Sequence, residues 1–303
     1  MNAPGFEGLA PSGDTALGFT VAARNVRGQL VRLDTTLNAI LAAHDYPAPL
    51  ARLLAEALVL TALLGATLRP GNKVEDGQLT LQVQAPNGAV DLLVCDYRAG
   101  ALRGYLNYNA DADFREGMSL GELFGHGHLA ITLDQTANAE RYQGIVALEG
   151  ESLSAAIEGY FDQSEQLPTL IRIGVSGDAE TGWLAGGLLV QHLARREEGG
   201  ERLDVEALHP DWEHVATLAA TTKAEELTDP ALLAEELLWR LFHEEEVRLA
   251  PGLAPTRGCR CNIAHITEVL QRFPESERVE MRGEDGLIGV DCKFCARVWK
   301  VPA

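Results

Sequence analysis

The sequence predicts an α+β fold: a core domain of mixed sheet and helix, then an acidic helical linker, then a small C-terminal module. Three observations carry that reading. Helical and strand periodicities come in groups and not in strict alternation, which disfavours a parallel βαβ stack. A sharp change in charge follows Arg196, and four of the five cysteines lie in the last 45 residues. At about 100 to 200 residues per domain, a chain of 303 has room for such a division. The boundaries read as a flexible tail over 1–20, a core over 21–196, a linker over 197–255 and a cysteine module over 256–303.

The tail is rich in Gly, Pro and Ala and lacks a basic segment followed by an apolar one, so it does not read as a secretion signal. Over 34–44, Leu37, Ile40 and Leu41 recur at helical spacing until Tyr46-Pro47 ends the run. Pro49 opens a second helix, apolar nearly all round from Leu50 to Leu64, which stops at Gly65 and Arg69-Pro70-Gly71. Its most apolar stretch, 57–68, has twelve residues, short of the ~20 that a membrane span needs, and marks a buried core helix. The period then changes to two. Leu79, Leu81 and Val83 alternate with polar residues, Pro86-Asn87-Gly88 turns the chain, and Val90, Leu92 and Val94 resume the alternation as a β-hairpin. Strand-like runs follow at 102–108, 129–133, 142–148 and 169–175, with a helix at 152–163, and Gly186-Gly187 and Gly199-Gly200 read as bends.

Residues 197–250 hold 15 acids against 4 bases, a net −11 out of −19 for the whole chain. Their second half is nevertheless helical in pattern. Thr222-Lys223-Ala224-Glu225 matches a capping box, Asp229-Pro230 matches a cap with proline at the first helical position, and Leu233, Leu237, Leu238, Leu241 and Phe242 form an apolar stripe. Helices of ~12 to 15 residues are marginal alone in water, and the like charges of Glu235, Glu236 and Glu244 to Glu246 weaken these further, so docking must hold them. The overall charge, 25 Lys plus Arg against 44 Asp plus Glu, repels phosphate backbones and anionic lipid, so neither nucleic acid nor membrane is an expected partner. Low cysteine density, with no Asn-x-Ser/Thr site, favours a reducing compartment, the cytoplasm.

The strongest chemical signal is Cys259-Arg260-Cys261, thirty residues (262–291), then Cys292-Lys293-Phe294-Cys295. Two close thiol pairs separated by a short module are how small domains present four thiolates to Zn²⁺, and soft sulfur selects zinc over hard cations. One zinc ion per chain, held by Cys259, Cys261, Cys292 and Cys295, is therefore expected. His265 reads as an ordinary helix residue, Cys95 as packing within a strand, and Gly125-His126-Gly127-His128 as a loop. The first pair is C-x-C and not C-x-x-C; a bridge across so short a span is strained and labile, which suits a switch. Arg257, Arg260, Lys293 and Arg297 are expected to favour the thiolate form. There is no G-x-x-x-x-G-K-[ST] loop, so no ATP-driven step is expected, and no catalytic site is evident. The residues alone leave three readings open: a redox-controlled binding protein, a thiol-disulfide oxidoreductase using the C-x-x-C pair, and a zinc-ribbon nucleic-acid module. Residues 257–303 carry 8 bases and 7 acids, which is no basic stripe.

The chain resembles the heat shock protein 33 family of redox-regulated holdase chaperones. The resemblance runs through Val26-Arg27-Gly28, His44-Asp45-Tyr46-Pro47, Tyr142-Gln143-Gly144-Ile145-Val146, the stretch from Tyr160 to Thr169 with its Ser164-Glu165-Gln166-Leu167-Pro168, and Leu241-Phe242-His243-Glu244-Glu245-Glu246, and ends in the cysteine cluster. It implies an α+β core, a metastable linker docked on it, and a zinc-binding redox switch with no enzymatic activity. It further implies Cys259–Cys261 and Cys292–Cys295 disulfides on oxidation, loss of zinc, unfolding of the linker, capture of unfolding client proteins, and a homodimer when active. Cys95 lies outside the family's cysteine pattern. The tail, an inserted-looking stretch at 176–182 and the acidic run 197–211 depart from the family.

Overall fold

The computed structural model describes residues 13–68, 77–135, 140–148, 151–193 and 209–302. Most of the tail, the turn at Arg69-Pro70-Gly71 and the acidic run through 208 lie outside them. In chain order the elements are β1 (Thr15–Val21), β2 (Val26–Leu33), α1 (Thr35–Leu41), α2 (Ala48–Ala66), β3 (Gln78–Gln84), β4 (Val90–Arg98), β5 (Ala101–Tyr108), α3 (Leu120–Phe124), β6 (His128–Gln135), β7 (Glu140–Ala147), α4 (Leu153–Ser164), β8 (Thr169–Asp178) and β9 (Gly182–His192). There follow α5 (Pro210–Ala220), α6 (Ala224–Leu227), α7 (Ala234–Phe242), β10 (Val247–Pro251), β11 (Thr256–Arg257), α8 (Ile263–Leu270), α9 (Glu275–Glu280), β12 (Leu287–Asp291) and β13 (Val298–Pro302).

Two sheets enclose α2. The first has the order β10-β1-β2-β9-β8 and is antiparallel throughout; the second runs β11-β5-β4-β3-β6-β7, antiparallel except where β11 lies parallel to β5. Leucines and alanines around the whole circumference of α2 are buried because it touches both sheets, β2, β8 and β9 on one side and β3, β4 and β5 on the other. By length and hydropathy α2 is apolar enough to cross a membrane, but most of it is buried inside this core. Close approach depends on glycine: a Cβ on Gly187 would stand 2.5 Å from Val59, and one on Gly104 would stand 2.9 Å from Leu58. The hairpin expected from Leu79 to Val94 is β3–β4, with Leu81 opposite Cys95.

Period-two alternation gives the first sheet two apolar faces. Ala16, Val31, Leu33, Ala185 and Leu189 face α2, while Leu17, Phe19, Val21, Val26, Leu30, Leu188 and Val190 face the other way. That second face is covered by the linker helices, through Trp212, Val215 and Ala219 of α5, Leu227 of α6, and Leu237, Leu238, Leu241 and Phe242 of α7. α6 lies directly on the strands, since a Cβ on Gly174 or Gly186 would stand 2.4 Å from the Ala224 carbonyl or 2.3 Å from that of Leu227. Arg32, 2% exposed on β2, donates from Nε to the Leu227 carbonyl at 3.1 Å, from Nη2 to that of Glu226 at 2.9 Å, and from Nη1 to that of Leu232.

Several sequence expectations need correction. Residues 15–20 are not tail but most of β1, paired on both sides by β2 and β10. The linker's last segment, β10, is a strand of the core's first sheet, and β11, assigned to the cysteine module, extends the second. The cap at Thr222 falls one residue later, where the Lys223 backbone N–H donates to Glu226 Oε2 at 3.0 Å. Asp229 caps a turn by accepting from the Ala231 N–H at 2.8 Å, and α7 begins only at Ala234. The inserted-looking stretch 176–182 comprises the end of β8, the turn at 179–181 and the first residue of β9, with Gly177 and Gly182 at φ +86° and +91°.

Candidate metal centre

The C-terminal module is thin. Its buried apolar centre is Leu270, Ile288 and Val301, with Ile266 and Val290 against them, while Ile263, Phe273, Val279, Met281 and Val298 are exposed. What it does have is thiols. Cys259 and Cys261 follow β11 directly, where the Gly258 N–H donates to the Leu102 carbonyl at 2.8 Å and fixes the chain on β5. Cys292 and Cys295 sit on the turn between β12 and β13. There the Cys295 and Ala296 N–H groups point back to the Cys292 carbonyl, at 3.3 and 2.8 Å, and Ala296 takes the left-handed conformation at φ +54°.

All four sulfurs lie within 4.8 Å of one another, with Cys259–Cys261 at 3.3 Å and Cys259–Cys292 and Cys261–Cys295 at 3.5 Å. These are free thiols. Four sulfurs each ~2.3 Å from a single ion would stand ~3.8 Å apart, so the spacing fits one tetrahedral metal ion. Electrostatics point the same way. Burial opposes ionisation of Cys259, yet the Cys261 backbone N–H and the neighbouring thiols outweigh it and bring the thiol down to about 7. Burial and then the Cys259 sulfur raise Cys292, while Cys295 is pushed up to about 12 by burial and the sulfurs around it. One proton leaves easily and the next are held by the negative charge already present, a penalty that a central cation removes.

The expected ligands thus all meet. His265 is exposed on α8, and neither it nor His126 and His128, also exposed, belongs to any group of three or more metal-ligating side chains among the described residues. Cys95 is fully buried on β4, and burial raises its thiol well above the ordinary range. The basic residues act differently from expectation. Arg260 turns away from the sulfurs to Gln78 and Asp96, and Arg297 stacks on Trp299 at 4.4 Å, so the depressed Cys259 owes its shift to an N–H and to thiols. The sequence reading missed the core side chains that meet this module. His44 Nε2 donates to the Lys293 carbonyl at 2.6 Å, and the Arg103 guanidinium lies 3.9 Å from the Phe294 ring centroid. Nothing in local periodicity marks either residue; His44 stood out only within the family-like His44-Asp45-Tyr46-Pro47.

A two-sheet α+β core overlaid by acidic helices, ending in a four-thiol centre able to hold a metal ion, defines the class. The chain belongs to the heat shock protein 33 family: the family model described as Hsp33 protein matches residues 14–302. It is 40% identical over 298 residues to a 33 kDa chaperonin of Caulobacter vibrioides, covering 95% of this chain and 94% of that one. It is also 40% identical over 272 residues to a 33 kDa chaperonin of Shewanella loihica, covering 89% and 86%. The fold is similar to the crystal structure of a 33 kDa chaperonin, a heat shock protein 33 homologue from Thermotoga maritima, with a TM-score of 0.77, 21% identity and 95% of each chain covered. The protein is a chaperone-family member and not an enzyme, and that family implies binding of client proteins.

Proposed function

We propose that the protein is a redox-regulated, ATP-independent holdase, inactive while reduced and zinc-bound, that works in the cytoplasm. The observation that carries this reading is one of connectivity. α7, β10, β11 and Cys259 follow one another with few residues between, and Thr36 Oγ1 holds the intervening Pro255 carbonyl at 3.1 Å. Whatever loosens the cysteine loops acts at once on the strand that ends the linker.

Magnitudes favour the thiol centre as the control point. Burial of Leu270, Ile288 and Val301 contributes roughly 5 to 9 kcal/mol, less than a structural zinc ion does in small modules. A zinc ion bound by four thiolates would supply roughly 10 to 16 kcal/mol. Cys259, Cys261, Cys292 and Cys295 would hold it. Each thiolate pair gives two electrons to hydrogen peroxide, which takes two protons from solvent: one S–S bond forms, Cys259–Cys261 or Cys292–Cys295, the O–O bond breaks, and two waters leave. Oxidation withdraws all four ligands, so the module loses its ion and its fold, β11 and β10 lose their anchor, and α5 to α7 leave the sheet. The uncovered face then offers Leu17, Phe19, Val21, Leu30, Leu188 and Val190 to unfolding clients, as a homodimer, while a net charge of −19 keeps the complex dispersed.

The test is zinc content and light-scattering protection of a heat-denatured client, measured on one sample before and after peroxide with mild heating. One zinc per chain and no protection before, then no zinc and full protection after, is expected. Zinc release without any gain in protection would refute the coupling.

A further inference from the structure

Thr80, Asp96 and Arg103 stand opposite one another on β3, β4 and β5, on the sheet face turned away from α2. The Asp96 carboxylate, 4% exposed, gathers three donors. Thr80 Oγ1 reaches Oδ1 at 2.6 Å, Arg103 Nε reaches Oδ2 at 2.7 Å, and Arg260 Nη2 reaches Oδ2 at 2.8 Å. Arg260 is the residue between Cys259 and Cys261, and its Nη1 is also held, by Gln78 Oε1 at 2.6 Å. Arg103 in turn lies against Phe294, the residue before Cys295. One buried carboxylate therefore touches both cysteine loops, each through a single guanidinium.

Anchoring matters because a loop of two cysteines around one residue has little to fix its orientation. The side chain that leaves the chain between them is pinned at both terminal nitrogens, which sets the directions of the two flanking Cα–Cβ bonds. The second loop is placed by the Phe294 ring on Arg103 and by the His44 donation to the Lys293 carbonyl at 2.6 Å. Without Asp96, the guanidiniums of Arg103 and Arg260 would face each other with no anion between them.

We propose that Asp96 is the positioning residue of the cysteine centre: by holding Arg260 and Arg103, a carboxylate of the core sheet brings the C-x-C and C-x-x-C loops into register and thereby sets the affinity of the four thiols for zinc. This rests on the reading of the thiols as a zinc site. Metal affinity here is a property shared between the core and the C-terminal module, and not of the module alone. Residues that orient ligands typically change metal affinity about 10- to 100-fold when removed.

The experiment uses the full-length reduced chain and measures zinc affinity by competition with a chromophoric chelator for the parent, Asp96→Asn, Arg260→Met and the double variant. Arg272→Met serves as control, since it removes a charge just beyond α8 from an exposed ion pair, 2.8 Å from Glu268. Each single variant is expected to bind zinc about 10- to 100-fold more weakly, the double variant within about threefold of the weaker single, and the control like the parent. Single variants with parental affinity overturn the inference, and so do effects that simply multiply in the double variant, because they would reflect independent damage to β4 and to the loop. Arg260→Met leaves the core sheet intact, so it decides the matter even if Asp96→Asn folds poorly. A parent that takes up no zinc overturns both the zinc reading and this inference; a parent that binds zinc beside unaffected variants overturns this inference alone.

Discussion

Replacing Phe242 with alanine asks whether apolar burial on the first sheet is what keeps the linker in place. The Phe242 ring is 1% exposed and its centroid lies 5.6 Å from that of Phe19, whose ring takes the space that a Cβ on Gly28 would need. Truncating a buried phenylalanine costs about 3 to 5 kcal/mol, including about 0.5 to 1.5 for the ring pair. Because Phe242 packs in the linker-facing cluster and not in the α2 core, that loss falls on docking. It corresponds to about a 200- to 5,000-fold larger undocked population. The ion pairs of Arg24 with Asp211 and Glu245, both at 2.9 Å, involve a solvent-screened guanidinium and are too weak to hold the helices alone. Amide exchange of the reduced, zinc-loaded protein should show α7 amides exchanging at least 100-fold faster while α2 amides keep their rates. Unchanged α7 rates would refute the reasoning, and equal acceleration in α2 would show that linker and core open as one unit.

Arg32→Met leaves the carbonyls of Glu226, Leu227 and Leu232 without their donor, at about 1 to 3 kcal/mol for each orphaned group. Trypsin should then cut after Lys223 at least tenfold faster than in the parent, and equal rates would rule out the guanidinium as an anchor. Cys95 is sealed beneath α2 with its thiol raised by burial, so in the zinc-free reduced protein four thiols should react with a disulfide reagent and the fifth only on denaturation. Cys95→Ser should keep parental zinc stoichiometry; loss of zinc would give the fifth thiol a role. The shifts of Cys259, brought down to about 7 by the Cys261 N–H and the neighbouring thiols, and of Cys295, pushed up to about 12 by burial, belong to the clustered thiols alone. Because loss of zinc is expected to unfold the module, alkylation of the zinc-free reduced protein followed by mass spectrometry should modify both with a common midpoint, and midpoints far apart would show that the module stays folded without its ion.

What the sequence alone determined is what depends on neighbours along the chain. Leu79 to Val94 alternate because each residue of a hairpin meets the next few, Ser152 caps α4 through the Ala155 N–H three residues on, and the two cysteine pairs are close in sequence whatever the rest does. What the tertiary structure decided depends on partners far away. Residues 15–20 carry few distinguishing signals, and they form a central strand only because β10, more than two hundred residues later, supplies the other half of the hydrogen bonds. Asp96 shows no local pattern at all, since its partners Thr80, Arg103 and Arg260 come from three other segments. Periodicity records which face of an element is buried; it does not record what buries it. The choice of the first sheet's outer face for the linker, and of a core carboxylate for the cysteine loops, is fixed by long-range packing and charge pairing that exist only once the chain has folded.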